Sequence, residues 1–247
     1  MAALAARLAG RFAREALALG AGEVCALLRR GFYLRLPGGR FACIGDAALC
    51  AGPLNALVDA LPAVALDGQL SISLQDTAIW HPPPSTAAFP DNAGAISRAA
   101  AQRAPAEGLA GLIAGSHDAL SVHAQPALEA LDRWLVGNAL PTEAEALIGL
   151  GAGVTAPGDD YLGGMLVALR LAGRGAQAAS LWRWLEPRLA GRTREISAAH
   201  LAAAAAGETQ EPLHAVLNGE DALERLDAAG WNGLAGALAV AKSYDGR

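Results

Sequence analysis

Lysine is almost missing from this chain. Lys242 is the only one, and arginine supplies the other 18 of the 19 basic residues. A Walker-type phosphate loop needs a lysine within its glycines and a Schiff-base enzyme needs a buried one, so both mechanisms are close to excluded. The arginines form no basic block beyond short pairs such as Arg192/Arg194, and 24 acidic residues leave a net charge of −5. Nucleic-acid affinity rests on clustered cations that neutralise phosphates, so no nucleic-acid partner is expected. Cysteine is scarce as well. Cys25, Cys43 and Cys50 have neither the even count of a disulfide framework nor the paired spacing of a zinc site, and they read as buried thiols. Long apolar runs are absent: none reaches the roughly 18 charge-free residues of a membrane span, the best candidates being cut by Asp46, Pro53, Asp59, Pro62 or His200. Arg7, Arg11, Arg14 and Glu15 are dispersed through the apolar N-terminus, unlike the charged head and clean apolar run of a signal peptide. A soluble, cytoplasmic protein with no membrane partner is the expectation.

The apolar fraction is 53% while aromatics make up only 5%. Much of the apolar content is alanine, so area is buried through close helix approach more than through large side chains. Leu4, Leu8, Phe12, Ala16 and Leu19 recur at helical spacing and predict an amphipathic opening helix over 2–19. Short β-rich runs follow at 24–28, 32–36 and 41–44, with Pro37-Gly38-Gly39 as a hairpin turn between the last two. Pro53 suits the first turn of a helix over 53–60, and further strands are expected at 69–74 and 77–80. HPPPST at 81–86 ends this region, because successive prolines fit neither a sheet interior nor a helix.

Beyond residue 90 the pattern is helical throughout, with segments at 92–104, 106–114, 125–136, 142–148, 158–172, 176–190, 193–206, 209–218, 220–229 and 231–242. Thr142 and Glu145 have capping-box spacing, and Gly173, Gly191, Gly207 and Gly219 punctuate as C-terminal stops. Strands followed by helices indicate an α+β fold: an antiparallel β-rich N-terminal domain (1–85) after the opening helix, then a mostly helical domain (90–247).

The most informative segment is GLGAGVTAPGDDYLGG, residues 149–164. Gly149, Gly151 and Gly153 at alternate positions permit backbone geometries closed to other residues, and the loop enters a helix near Thr155-Ala156-Pro157. Backbone amides at such a helix start favour a carboxylate or phosphate, which makes Gly151, Gly153, Thr155 and Gly158 candidates for binding a small anionic substrate. Asp159 and Asp160 fall in the first turn but point about 100 degrees apart, so they do not share one role. One is expected to brace the loop while the other faces the ligand, as an acid/base group or through a magnesium that bridges to the anion. The bland alternative is a tight interhelical connection with ordinary first-turn aspartates. Gly163 and Gly164 cost roughly 1 kcal/mol each against alanine in a helix, so something approaches that face closely.

A second constellation lies in TREISAAHLAAAAAG, where Thr193, Ser197 and His200 share one face. A Ser/His pair invites a nucleophile reading, but Thr193 is also a natural N-cap, and no G-x-S-x-G elbow occurs. His117 and His123 are six apart, which fits no familiar zinc motif. Arg192 and Arg194 flank the helix start, where they can clamp a carboxylate or simply be solvated.

These residues resemble a family. The loop running into Thr155, Pro157, Gly158, Asp159, Asp160, Leu162 and Gly164, followed by Thr193, Ser197, Leu201, Ala204 and Gly207, is similar to the AllH family, associated with oxamate carbamoyltransferase. GPLNAL at 52–57 and the Trp80/Pro82 pair look like the family's β-rich region. The family's C-terminal segment reads Gly-His-[Ser/Thr]-Ser-Gly-Trp-Asp. Here Gly230, Trp231, Leu234, Ala235 and Gly236 remain, with Ala228 and Ala229 in place of the hydroxyl residues and Asn232 in place of the aspartate. Asparagine keeps the shape but removes a base or metal ligand, so chemistry carried by that segment would be altered or lost. The resemblance implies carbamoyl transfer between oxalurate and phosphate, giving oxamate and carbamoyl phosphate, in allantoin and purine degradation. It implies Asp159 and Asp160 as catalytic residues, with Thr193, Ser197 and Asn232 beside the loop as substrate-binding ones. Partner subunits or a homo-oligomer follow from the same likeness. The competing expectation is a non-catalytic subunit that uses this loop to dock a partner enzyme.

Overall fold

A computed structural model describes residues 4–84, 89–137 and 139–245, and it separates into two compact units, Met1–Pro82 and Pro83–Arg247. The fold is α+β, with strands confined to the first unit and helices dominating the second.

The first unit is an eight-stranded sheet. In chain order its strands are β1 (Leu4–Gly10), β2 (Gly22–Leu28), β3 (Gly31–Leu36), β4 (Arg40–Gly45), β5 (Asn55–Val58), β6 (Gln69–Leu70), β7 (Ile72–Ser73) and β8 (Ala78–Trp80), with α1 (Arg11–Leu17) after β1. They are arranged β6-β2-β3-β4-β5-β1-β7, with β8 also on β1. The hairpin at Pro37-Gly38-Gly39 forms as the turn residues predict, pairing Leu36 with Arg40. The sheet is mixed, however: β4/β5, β1/β7 and β1/β8 are parallel.

Two expected helices are strands. The opening helix begins only at Arg11, because Leu4–Gly10 is β1, held between β5 and β7. A register shift between Ala6 and Leu8 breaks the two-residue alternation that would have marked it as a strand. The run after Pro53 likewise becomes β5, parallel to β4, since so short a segment carries no period of its own. Of the cysteines, Cys43 is buried and Cys25 and Cys50 are half-buried, all as free thiols; burial pushes Cys43 up to about 12.

The second unit contains α2 (Ala93–Ala101), α3 (Ala119–Leu135), α4 (Pro157–Leu171), α5 (Gly175–Leu185), α6 (Glu195–Ala205), α7 (Glu211–Leu217) and α8 (Ala228–Asp245). Gly173, Gly191, Gly207 and Gly219 end segments with positive φ, as their spacing predicts. The segments expected at 106–114 and 142–148 are 3-10 turns, Leu109–Ala114 and Thr142–Leu147. No capping box forms there: Pro141 precedes the turn, and Glu145 is drawn instead to Arg188 (2.9 Å) and Arg192 (2.7 Å). The stretch 220–229 holds the 3-10 turn Leu223–Arg225 and, from Ala228, the start of α8, because Asp227 separates the two and caps α8, accepting from Gly230 N at 2.8 Å.

Helix α4 is the axis of this unit. Leu162, Met165, Leu166 and Leu169 on it are fully buried. Its closest neighbour is α8, and glycine permits the approach: a Cβ on Gly164 would run into the Gly233 carbonyl, and one on Gly236 into the Tyr161 carbonyl. The backbone contact that Gly164 leads one to expect is therefore α8 itself. No helix among the described residues is long and apolar enough to cross a membrane.

Candidate functional site

The glycine loop rises from the turn at Leu147 and enters α4 at Pro157, where a fixed φ and a missing N–H suit the first helical position. Gly149, Gly151 and Gly153 have φ of 71, 95 and 144 degrees, all in the region that L side chains avoid. Gly149 also lies against the Arg192 carbonyl, and a Cβ on Gly158 would strike the Leu147 carbonyl. The base of the loop is thus locked by backbone packing, while Gly151, Ala152 and Gly153 are exposed.

Asp159 fastens this base. Only 2% exposed, it accepts from Gly149 N (2.9 Å) through one oxygen and from the Thr193 and Ser197 hydroxyls through the other, the latter at 2.6 Å. Ser197 in turn accepts from Ala156 N at 3.3 Å. Thr193 therefore does not cap α6, whose N-cap is Arg194; its hydroxyl goes to Asp159. Ser197 commits its single proton to Asp159, which leaves none for a base and removes the nucleophile reading. The two constellations read separately in the sequence thus meet: Thr193, Ser197 and Asp159 form a brace from α6 to the loop. Truncating Asp159→Ala strands two hydroxyls and one amide, of which the Ser197 hydroxyl belongs to a buried residue and the other two to half-buried ones. Urea denaturation should show a loss of about 3 kcal/mol or more; a loss below about 1 kcal/mol would mean that the brace carries little.

Asp160 differs. It is half-buried one residue further on, with the Thr155 hydroxyl and the Asn232 amide hydrogen-bonded to it. Desolvation raises its carboxyl from the ordinary 3.8 to about 7; Thr155 and Asn232 oppose the shift, and the nearby charges of Asp227 and Asp159 add to it. Asn232, 5% exposed, is pinned at its other end, accepting from Ala110 N at 3.1 Å. The expected site residues Asp160, Thr155 and Asn232 are thus gathered at one point.

Asp227 completes this group and was not among the residues singled out in the sequence. Its signal is an aspartate three residues before Gly230, the Asx cap of α8. It also influences His200, whose imidazole desolvation pushes down to about 4. His200 is therefore a neutral ring at physiological pH.

The loop above has donors to spare. Among the described residues, no backbone amide from Gly151 to Thr155 is given to a protein acceptor. Arg194 adds a cation there, donating to the Gly153 carbonyl, whereas Arg192 is held by Glu145. A cleft of about 370 Å³ opens alongside, lined by Gly108, Asp118, Ala152, Pro157, Trp231 and Asn232. The oxygens of Asp159 are already taken up, and no group of three or more His, Cys, Asp or Glu among the described residues is placed to hold a metal ion.

No curated protein and no solved structure matches the chain. The match that does emerge covers well under half of it but contains the loop, both aspartates, Thr193 and Ser197, and stops short of Asn232: residues 147–229 fit the family model of the oxamate carbamoyltransferase subunit AllH.

Proposed function

We propose that this chain is a carbamoyltransferase subunit that takes oxalurate and phosphate to oxamate and carbamoyl phosphate, with its anionic substrate on the Gly151–Thr155 loop and Asp160 as the proton-handling group. The observation that carries this reading is a carboxyl with a pKa of about 7 set beside a loop of unclaimed amides. In the reaction a phosphate oxygen attacks the carbamoyl carbon, the C–N bond to oxamate breaks, and the proton lost by phosphate ends on the oxamate nitrogen. An acid that is half-protonated at neutral pH suits that transfer in both directions. The loop amides and Arg194 neutralise phosphate or carboxylate charge at the helix start. Asp159, its oxygens engaged internally, is a positioning residue in this scheme, as are Thr193 and Ser197. Asn232 orients Asp160 rather than replacing a lost base.

The test is thermal unfolding of the whole chain with oxalurate, oxamate, carbamoyl phosphate and inorganic phosphate, repeated on Arg194→Ala and Thr155→Val. A ligand at about 100 times its Kd adds roughly 2.7 kcal/mol, a rise of a few degrees in Tm. The reading expects that rise with the carbamoyl compounds and its loss in both variants. A cooperative transition that none of the four compounds moves would favour the partner-docking subunit instead.

A further inference from the structure

A second cleft, of about 250 Å³, lies in the helical unit away from the loop. Its walls come from α3, α8, the turn Leu109–Ala114 and Tyr161 of α4. Tyr161 is only 3% exposed, and its hydroxyl, which makes no hydrogen bond among the described residues, opens on this cleft. Asp132 on α3 and Lys242 on α8, both exposed, line the same cleft. Asp132 is partly desolvated, which raises its carboxyl, and Lys242 acts on it electrostatically. The two nonetheless form no ion pair within 4.0 Å. Glu129 adds a second carboxylate, already bonded to Gln125 at 2.8 Å. Leu112, Leu128 and Leu238 supply apolar walls.

We propose that this cleft binds a small zwitterion of the apolar α-amino-acid class, its carboxylate on Lys242, its ammonium on Asp132 and the Tyr161 hydroxyl completing the polar contacts. Opposite charges that line one cleft without pairing match a ligand that carries both, and match a simple anion or cation only half. The volume lies below the usual range for drug-sized ligands and suits a small metabolite. The site is independent of the carbamoyl reading. It faces the side of α4 on which Tyr161 lies, about 100 degrees around the helix from Asp160.

The experiment is calorimetric titration of the full chain with L-leucine, alongside 3-methylbutylamine and 4-methylpentanoate, which keep the apolar tail and only one charge each. L-leucine should bind, and Lys242→Met or Asp132→Asn should each weaken it by about tenfold or more, the value of one charge-assisted bond. Tyr161→Phe removes a single oxygen and should weaken binding severalfold with Tm unchanged, which separates a ligand contact from a structural one. Absence of binding at about 10 mM L-leucine, or binding of the amine or the acid as strong as that of L-leucine, overturns the proposal.

Discussion

Gly164→Ala should destabilise the helical unit, while Gly163→Ala, one residue earlier in the same helix, should stabilise it. In an exposed helix the exchange of glycine for alanine contributes about 1 kcal/mol through the lower entropy of the unfolded chain. At Gly163 a new Cβ would meet Ala204 Cβ at 3.5 Å, an ordinary contact that leaves that gain intact. At Gly164 it would collide with the Gly233 carbonyl and come within 2.8 Å of Gly233 Cα. These are backbone atoms of α8, which cannot swing aside as a side chain would. Relief requires the two helices to separate along the most extensive contact in the unit, opening gaps around Leu162 and Met165. Overpacking of this kind costs typically 1–3 kcal/mol and more when backbone must move, so the net loss at Gly164 is about 2 kcal/mol or greater. Urea denaturation of the two variants side by side reads the signs directly. Equal effects at both positions would show that α4 and α8 are not packed backbone to backbone.

Much of this arrangement is legible in the sequence, for identifiable reasons. The alternate glycines, Pro157 at the first helical position and the four glycine stops each reflect a local backbone requirement, which a few neighbouring residues suffice to state. The pairing of Gly164 with a close neighbour is legible as a demand, though not the identity of that neighbour. What escapes is what depends on distant chain. β1 has a helix-like spacing of leucines, and its partners β5, β7 and β8 lie from 45 or more residues onward in sequence. Thr193 has the chemistry of a cap, but Asp159 from another helix takes its hydroxyl. Asp227 looks like a helix cap and nothing else, and only the packing of α8 on α4 brings its charge to bear on Asp160. The sequence separates the roles of the two aspartates, adjacent in one turn, but leaves open which takes which. Their difference arises because one side chain turns inward to three donors while the other lies half-buried beside another acid.

That difference yields the largest effect expected on function. Asp160→Asn should abolish proton transfer and yet make the protein more stable above neutral pH. The carboxyl titrates near 3.8 when exposed in the unfolded chain and near 7 in the fold. Between those values the native state holds a proton that the unfolded state has released, so stability falls as pH rises through this window and stays low above it. Three units correspond to about 4 kcal/mol at full value; for a half-buried group relaxed by water the expected penalty is on the order of 2 kcal/mol at pH 8. Asparagine does not ionise and keeps an oxygen for Thr155 and Asn232, so the variant escapes the penalty. Urea midpoints should coincide near pH 4 and diverge in favour of Asp160→Asn between pH 5 and 8. Turnover of oxalurate with phosphate should fall by about 10²–10⁴, the usual worth of a positioned acid/base group. A midpoint at pH 8 lower than that of the natural chain would place Asp160 among the structural braces with Asp159. Higher stability combined with lost turnover is the signature of a carboxyl whose strained environment serves chemistry, since a merely architectural residue has no reason to be held where its charge is disfavoured.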